Sequence, residues 1–195
     1  MKLIRIIILL LYIPGVADAR GDDPLDVIRG TTEQIMVRFT EEPEIAADPG
    51  QLRMLVNESI VPNVDFTLLS RLTLGKHWRR ASTAQRQRFT DEYRRLLIRT
   101  YSNSLTNYNG QAIEHRLLTT TAEGKSATVR TLVQQPGGSP LTVDYSVFNT
   151  PAGWKIYDVT IEGISLAITH RSSFGREISS RGMDGFIEHL AARNQ

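Results

Sequence analysis

The chain has 195 residues, 41% of them hydrophobic, which is enough for one domain with a sizeable core and excludes a disordered composition. It contains no cysteine, so no disulfide framework holds it together. The net charge of +2 at pH 7 is too small for a general polyanion binder, and the distribution of charge says more than its total.

Lys2 and Arg5 precede an apolar run from Ile6 to Ile13, and Ala17-Asp18-Ala19 is a small-x-small site. That pattern predicts a secretory signal peptide over residues 1–19, cleaved after Ala19. The apolar run is too short to span a bilayer. The mature chain, from Arg20 to Gln195, reads as a single exported domain.

Asp23-Pro24 caps a helix that carries Leu25, Ile28, Ile35, Met36 and Phe39 at helical spacing, weakened in the middle by Gly30-Thr31-Thr32. An acidic link follows, and Asp48-Pro49 opens a second helix with Leu52, Leu55, Val56 and Ile60 on one stripe. Asp65 caps a short third helix that Gly75 closes. Ser82 and Gln85 form a capping box for the clearest helix. Its stripe runs through Phe89, Tyr93, Leu96, Leu97, Tyr101, Leu105 and Tyr108, and Gly110 is predicted to end it.

After Gly110 the period changes from 3.6 to 2. Residues 112–118, 125–135, 140–149 and 153–161 are predicted strands, joined by short turns that specify antiparallel hairpins. In the third, Leu141, Val143, Tyr145 and Val147 share one face while Thr142, Asp144 and Ser146 share the other. Gly163 breaks the fourth strand, and Ser165 caps a helix carrying Leu166, Ile168 and Phe174. A last helix starts at Gly182-Met183 with Phe186, Ile187 and Leu190. The order predicts an α+β fold: a four-stranded antiparallel curved sheet wrapped by several helices, cone-shaped and NTF2-like, with an apolar cavity.

No catalytic pattern stands out. His77, His115, His170 and His189 lie in separate elements without metal-ligand spacing, so neither metal nor cofactor is implied. Ser165 and His170 are five apart, about 140° around a helix, and do not pair within it. A small secreted enzyme using a lone acid, Asp158 or Asp144, is the alternative from another class. From Lys76 to Arg99 eight basic residues face only Asp91 and Glu92. In an exported protein that stripe points to anionic lipid or an acidic docking partner rather than nucleic acid. Its docking candidates are Arg86, Arg88, Arg94 and Arg95, and a solvated helix face is the plain alternative.

Several runs, read together and in order, resemble the toluene-tolerance family, the periplasmic phospholipid shuttles of the Mla (maintenance of lipid asymmetry) system. They are Pro62-Asn63-Val64-Asp65-Phe66, Leu74-Gly75-Lys76-His77-Trp78-Arg79, Gln85-Arg86-Gln87-Arg88-Phe89, Leu96-Leu97-Ile98-Arg99-Thr100-Tyr101, Trp154-Lys155-Ile156-Tyr157-Asp158-Val159, Ile161-Glu162-Gly163-Ile164-Ser165-Leu166 and Gly182-Met183-Asp184-Gly185-Phe186-Ile187. Thr169-His170 stands where the family often has Asn-Tyr. The resemblance implies a carrier of phospholipid, acyl chains in an apolar cavity and headgroup exposed, with a polycyclic lipid such as a hopanoid as alternative cargo. It implies docking to an outer-membrane lipoprotein complex and to the substrate-binding ring of an inner-membrane ABC transporter. The candidate cavity wall is Phe66, Leu69, Trp78, Phe89, Tyr93, Leu97 and Tyr101 from the helices, Val143, Tyr145, Val147, Tyr157 and Val159 from the strands, and Ile164 and Ile168 after them. In sequence, the wall of a lipid cavity and the wall of a dry core look the same.

Overall fold

The computed structural model describes residues 23–195 apart from Asn109, and only the backbone of Asn107. The predicted leader, its cleavage after Ala19 and the mature start at Arg20 lie outside the described residues. Helix α1 (Pro24–Glu41) starts where the Asp23 carboxylate accepts from the Leu25 amide at 2.8 Å. The weak Gly30-Thr31-Thr32 stretch stays helical. Its threonine hydroxyls donate to the carbonyls of Val27 and Ile28, at 2.7 and 2.9 Å, and Ile28 and Ile35 on either side are buried. Tertiary burial outweighs local propensity there.

A 3₁₀ turn (Pro43–Ala47) buries Ile45 and leads to α2 (Pro49–Ser59), capped by Asp48. The chain then touches the sheet: Val64 forms a parallel bridge with Ile156, and the Asp65 amide donates to the Ile156 carbonyl at 2.8 Å. Helices α3 (Phe66–Leu74) and α4 (Lys76–Arg80) meet at Gly75, and α5 (Thr83–Tyr101) opens on the capping box with both arms formed, 3.2 and 3.0 Å. Helix α5 stops at Tyr101, short of the predicted end near Tyr108, and continues as a 3₁₀ turn (Ser102–Asn107). Polar side chains in that stretch compete for its backbone, as when the Thr106 hydroxyl donates to the Asn103 carbonyl at 2.7 Å.

The sheet is antiparallel in the order β1 (Ile113–Thr120), β2 (Ser126–Val133), β3 (Leu141–Thr150), β4 (Gly153–Ile161) and β5 (Ile164–Ser165). It has five strands, not the predicted four. Glu162 and Gly163 both have positive φ, 48° and 79°, as a type I′ hairpin turn requires, and this folds Ile164 and Ser165 back onto Ile161 and Thr160. Ser165 then caps α6 (Leu166–Arg193), accepting from the Ile168 amide at 3.1 Å. At Gly182, with φ 70° and ψ 174°, α6 breaks and its second arm returns along the first. Phe174 and Phe186 meet at 4.9 Å between ring centroids, and Glu177 pairs with His189 at 3.6 Å.

The apolar interior falls into three clusters. One joins α3, α5 and both arms of α6; a second joins α1 to the sheet; a third joins the end of α1 to α2. Val64 packs against both of the first two.

The Gly182 backbone conformation belongs to glycine, and no atom lies within 4 Å of where a Cβ would stand. Gly182→Ala therefore strains the backbone without a clash and should lower stability by about 1–3 kcal/mol. Urea denaturation would measure it; an unchanged midpoint would contradict the strained turn.

Candidate functional site

Strand register fixes which side chains share the sheet's apolar face, because residues directly opposite one another point the same way. Ala127, Val147 and Ile156 form one row; Val129, Tyr145 and Val159 form the next; Thr131, Val143, Ile161 and Ile164 form the third. The first row is sealed beneath Ile28 of α1, with Val147 at 0% exposure. In the second row Tyr145 and Val159 are half-buried, as are Val143 and Ile161 in the third, while their β2 neighbours Val129 and Thr131 are buried at 0% and 4% exposure. The face ends in the open, with Ile164 at 63% and Ile168, at the start of α6, at 50%. One apolar face thus passes from dry core to solvent.

Tyr145 marks the transition. Surrounding atoms desolvate its phenol and push its pKa up from 10.0 to about 12. Yet the side chain keeps some accessible surface, and its hydroxyl has no hydrogen-bond partner among the described residues. A buried phenol ordinarily finds a partner.

The predicted wall residues divide accordingly. Val143, Tyr145 and Val159 lie on the open part of the face, and Val147 lies on its sealed part. Tyr157 does not share that face. A bulge places it opposite no residue of β3, since Ser146 pairs with Asp158 and Val147 with Ile156. It lines instead a cleft of about 760 Å³ with Phe148, Leu68, Leu72, Arg71 and Arg171. Phe89 and Tyr93 are fully buried, stacked at 5.4 Å, and Leu69 is buried beside them in the helical cluster. Phe66, Trp78 and Leu97 fringe that cluster half-buried, and Tyr101 at the end of α5 is half-buried with its pKa raised by burial.

The two candidate acids are occupied. Asp144 takes a bidentate bond from Arg130 across β2 and β3, at 2.7 and 2.7 Å. Asp158 is buried and accepts from the Ser165 hydroxyl at 2.5 Å, the Val159 amide at 2.9 Å and the Ala167 amide at 3.2 Å. His170 does not join Ser165. Its ring lies against Tyr93 and Phe174, at 5.4 and 5.1 Å, and its Nε2 is buried without a partner among the described residues.

The basic stripe is less free than its sequence implies. Arg86 donates to the Trp78 carbonyl at 2.9 Å and covers that indole at 5.3 Å. Arg88 pairs with Asp184 of α6 at 3.2 Å, and Arg95 pairs with Glu92. Arg94 is exposed and has no partner among the described residues. Asp184 lies 96 residues from Arg88, beyond the reach of a local charge count.

Comparison with known proteins gives a consistent picture. The family model described as MlaC protein matches residues 29–192. The toluene tolerance protein ttg2D of Pseudomonas putida is 29% identical over 163 residues, covering 83% of this chain and 75% of that protein. The intermembrane phospholipid transport system binding protein MlaC of Haemophilus influenzae is 24% identical over 152 residues, covering 76% of this chain and 71% of that one. A solved structure of a phospholipid-binding protein from Ralstonia solanacearum, in complex with a phospholipid, superposes with a TM-score of 0.80 at 30% identity, covering 88% of this chain and 97% of that chain.

Burial, and then the charge of Arg193, hold the His170 imidazole below its ordinary pKa of 6.5. The unfolded chain therefore takes up the proton more readily than the folded one. The stability due to neutral His170 is complete above about pH 6.5 and is lost as pH falls below that value toward the folded pKa. His170→Phe should flatten the loss of urea stability between about pH 7.5 and pH 5 relative to the parent chain. Equal losses in the two proteins would show that His170 is not held neutral.

Proposed function

The chain belongs to the MlaC protein family, and within it we propose that this protein is a phospholipid-transfer protein that lays acyl chains along the open half of the sheet's apolar face. The observation that carries this is the gradient on one face, from Val147 at 0% exposure to Ile164 at 63%, with the unpartnered Tyr145 hydroxyl between. An acyl chain gains about 0.8 kcal/mol for each CH₂ removed from water. Val143, Tyr145, Val159 and Ile161 supply that shelter from the sheet, with Leu97 and Tyr101 as wall on the helical side. The Tyr145 hydroxyl donates to a lipid ester oxygen, and Ile164 and Ile168 rim the mouth, leaving the headgroup in water. Phe89, Tyr93, Leu69 and Val147 support the wall from behind.

The similarity to a phospholipid-bound structure supports the cargo. The leader predicted from residues 1–19 supports a periplasmic setting, in which the protein shuttles between an outer-membrane lipoprotein complex and the substrate-binding ring of an inner-membrane ABC transporter. No catalytic role is proposed, since both candidate carboxylates are held in internal bonds. Of the docking candidates Arg94 has no internal partner among the described residues, whereas Arg86, Arg88 and Arg95 each hold one.

Two carboxylates on one face test the cargo site. Val143→Glu adds a charge where water can reach it in the empty protein, so folding should survive while co-purifying lipid disappears. Val147→Glu adds it to the sealed row and should remove several kcal/mol of a total stability of about 5–15 kcal/mol. Lipid extraction and mass spectrometry, with thermal unfolding on the same preparations, read both. A parent protein without lipid would sink the carrier role, and a hopanoid in the extract would replace the phospholipid. For docking, Arg94→Glu should slow association with the membrane complexes and weaken its salt dependence while lipid content stays the same. An unchanged on-rate would return Arg94 to a solvated helix face.

A further inference from the structure

Where the junction of α3 and α4 meets the first arm of α6, a cleft of about 760 Å³ is lined by Lys76, His77, Arg171 and Arg176, with the hydroxyls of Ser172 and Ser179. Among the described residues its lining holds no carboxylate. The acid nearest to it along α6, Glu177, pairs instead with His189 at 3.6 Å and Arg181 at 3.9 Å. Lys76 and Arg176 have no ion pair among the described residues.

The edge of the cleft is built. Arg171 lies against Gly75, where a Cβ would stand 3.4 Å from its Nε, and donates from Nε to the Leu72 carbonyl at 3.1 Å. Gly75 also has φ 54°, so the position needs glycine both for its backbone and for the approach of Arg171. Lys76 from α4 and Arg176 from α6 stand without an ion pair on two walls, beside Ser172, while the Ser179 hydroxyl donates to the Gly175 carbonyl at 2.8 Å. Donors spread over more than one plane suit a tetrahedral oxyanion better than a planar carboxylate.

We propose that this cleft binds a phosphate group, carried either by a soluble phosphate or by a water-exposed lipid headgroup. The site is separate from the acyl-chain face and does not depend on that assignment.

His77 offers a local probe. Burial, and then the charges of Lys76 and Arg80, hold its imidazole below 6.5, and Arg171 and Arg176 face it from α6. A bound phosphate opposes those charges and raises the pKa. The His77 titration is followed by NMR in sodium chloride and in inorganic phosphate at equal ionic strength, in the mature protein and in a Lys76→Gln/Arg176→Gln variant. Phosphate should move His77 upward and saturably, leave His115 in place, and bind about tenfold or more weakly to the variant. The same curve in both salts, or the same affinity in both proteins, would overturn the proposal. Vesicles of phosphatidylglycerol and of phosphatidylcholine then separate the sources. Binding to phosphatidylglycerol that the variant loses, and that an Arg53→Gln/Lys125→Gln control of equal charge keeps, assigns the phosphate to a lipid headgroup. A phosphate-specific shift without vesicle binding assigns it to a soluble phosphate. Vesicle binding lost equally in both variants, with no phosphate-specific shift, is diffuse attraction and also overturns the site. Thermal unfolding checks that the variants are folded, as substitution at the solvent-accessible Lys76 and Arg176 should allow.

Discussion

One buried carboxylate fixes how the sheet meets the helices. Asp158 sits on β4 and takes the Ser165 hydroxyl and the Ala167 amide, which ties the first turn of α6 to the strand that precedes it. It also accepts its neighbour's amide, from Val159, so the buried charge is met by three donors. A carboxylate at a helix N-terminus is further favoured by the helix dipole. With α6 held there, the helical cluster hangs from the β4 edge, where Val64 and Asp65 also bind the Ile156 backbone. Farther along the apolar face Val129 and Thr131 of β2 remain buried, while Tyr145 and Val143 of β3 are only half-buried.

That geometry explains how an apolar face stays half open without unfolding the protein. Stability is carried by three sealed clusters, the aromatic one around Phe89, Tyr93, Phe174 and Phe186 being the densest. Each buried aromatic contributes a large apolar area and, in pairs, edge-to-face or stacked attraction as well. The open rows of Tyr145 and Val143 are then spare surface. A solved phospholipid-bound protein superposes on this fold with a TM-score of 0.80.

Charge is divided in a similar way. The arginines of α5 that look like a free stripe are largely used within the fold, on the Trp78 indole, Asp184 and Glu92. Lys76 of α4 and Arg176 of α6 have no ion pair among the described residues, and they line a cleft without acids. Where a positive field acts on a partner depends on which charges the fold has already neutralised.

The sequence by itself determined the α+β class, the helix starts, the antiparallel meander and the family. Those features rest on local chemistry: a proline after Asp23, a Ser82–Gln85 capping box, alternation along β3, a glycine at a positive φ. All are read within a few residues, and the family match spans residues 29–192. The two-residue β5 escaped notice because its pairing depends on Glu162 adopting a positive φ, which no propensity favours. The bulge that turns Tyr157 to the other face escaped because register is a property of two strands, not one. Only the tertiary structure decided that Val147 is sealed while Val143, four residues earlier on the same face, is half open. Burial depends on what packs above a residue. For Val147 that is Ile28, more than a hundred positions away.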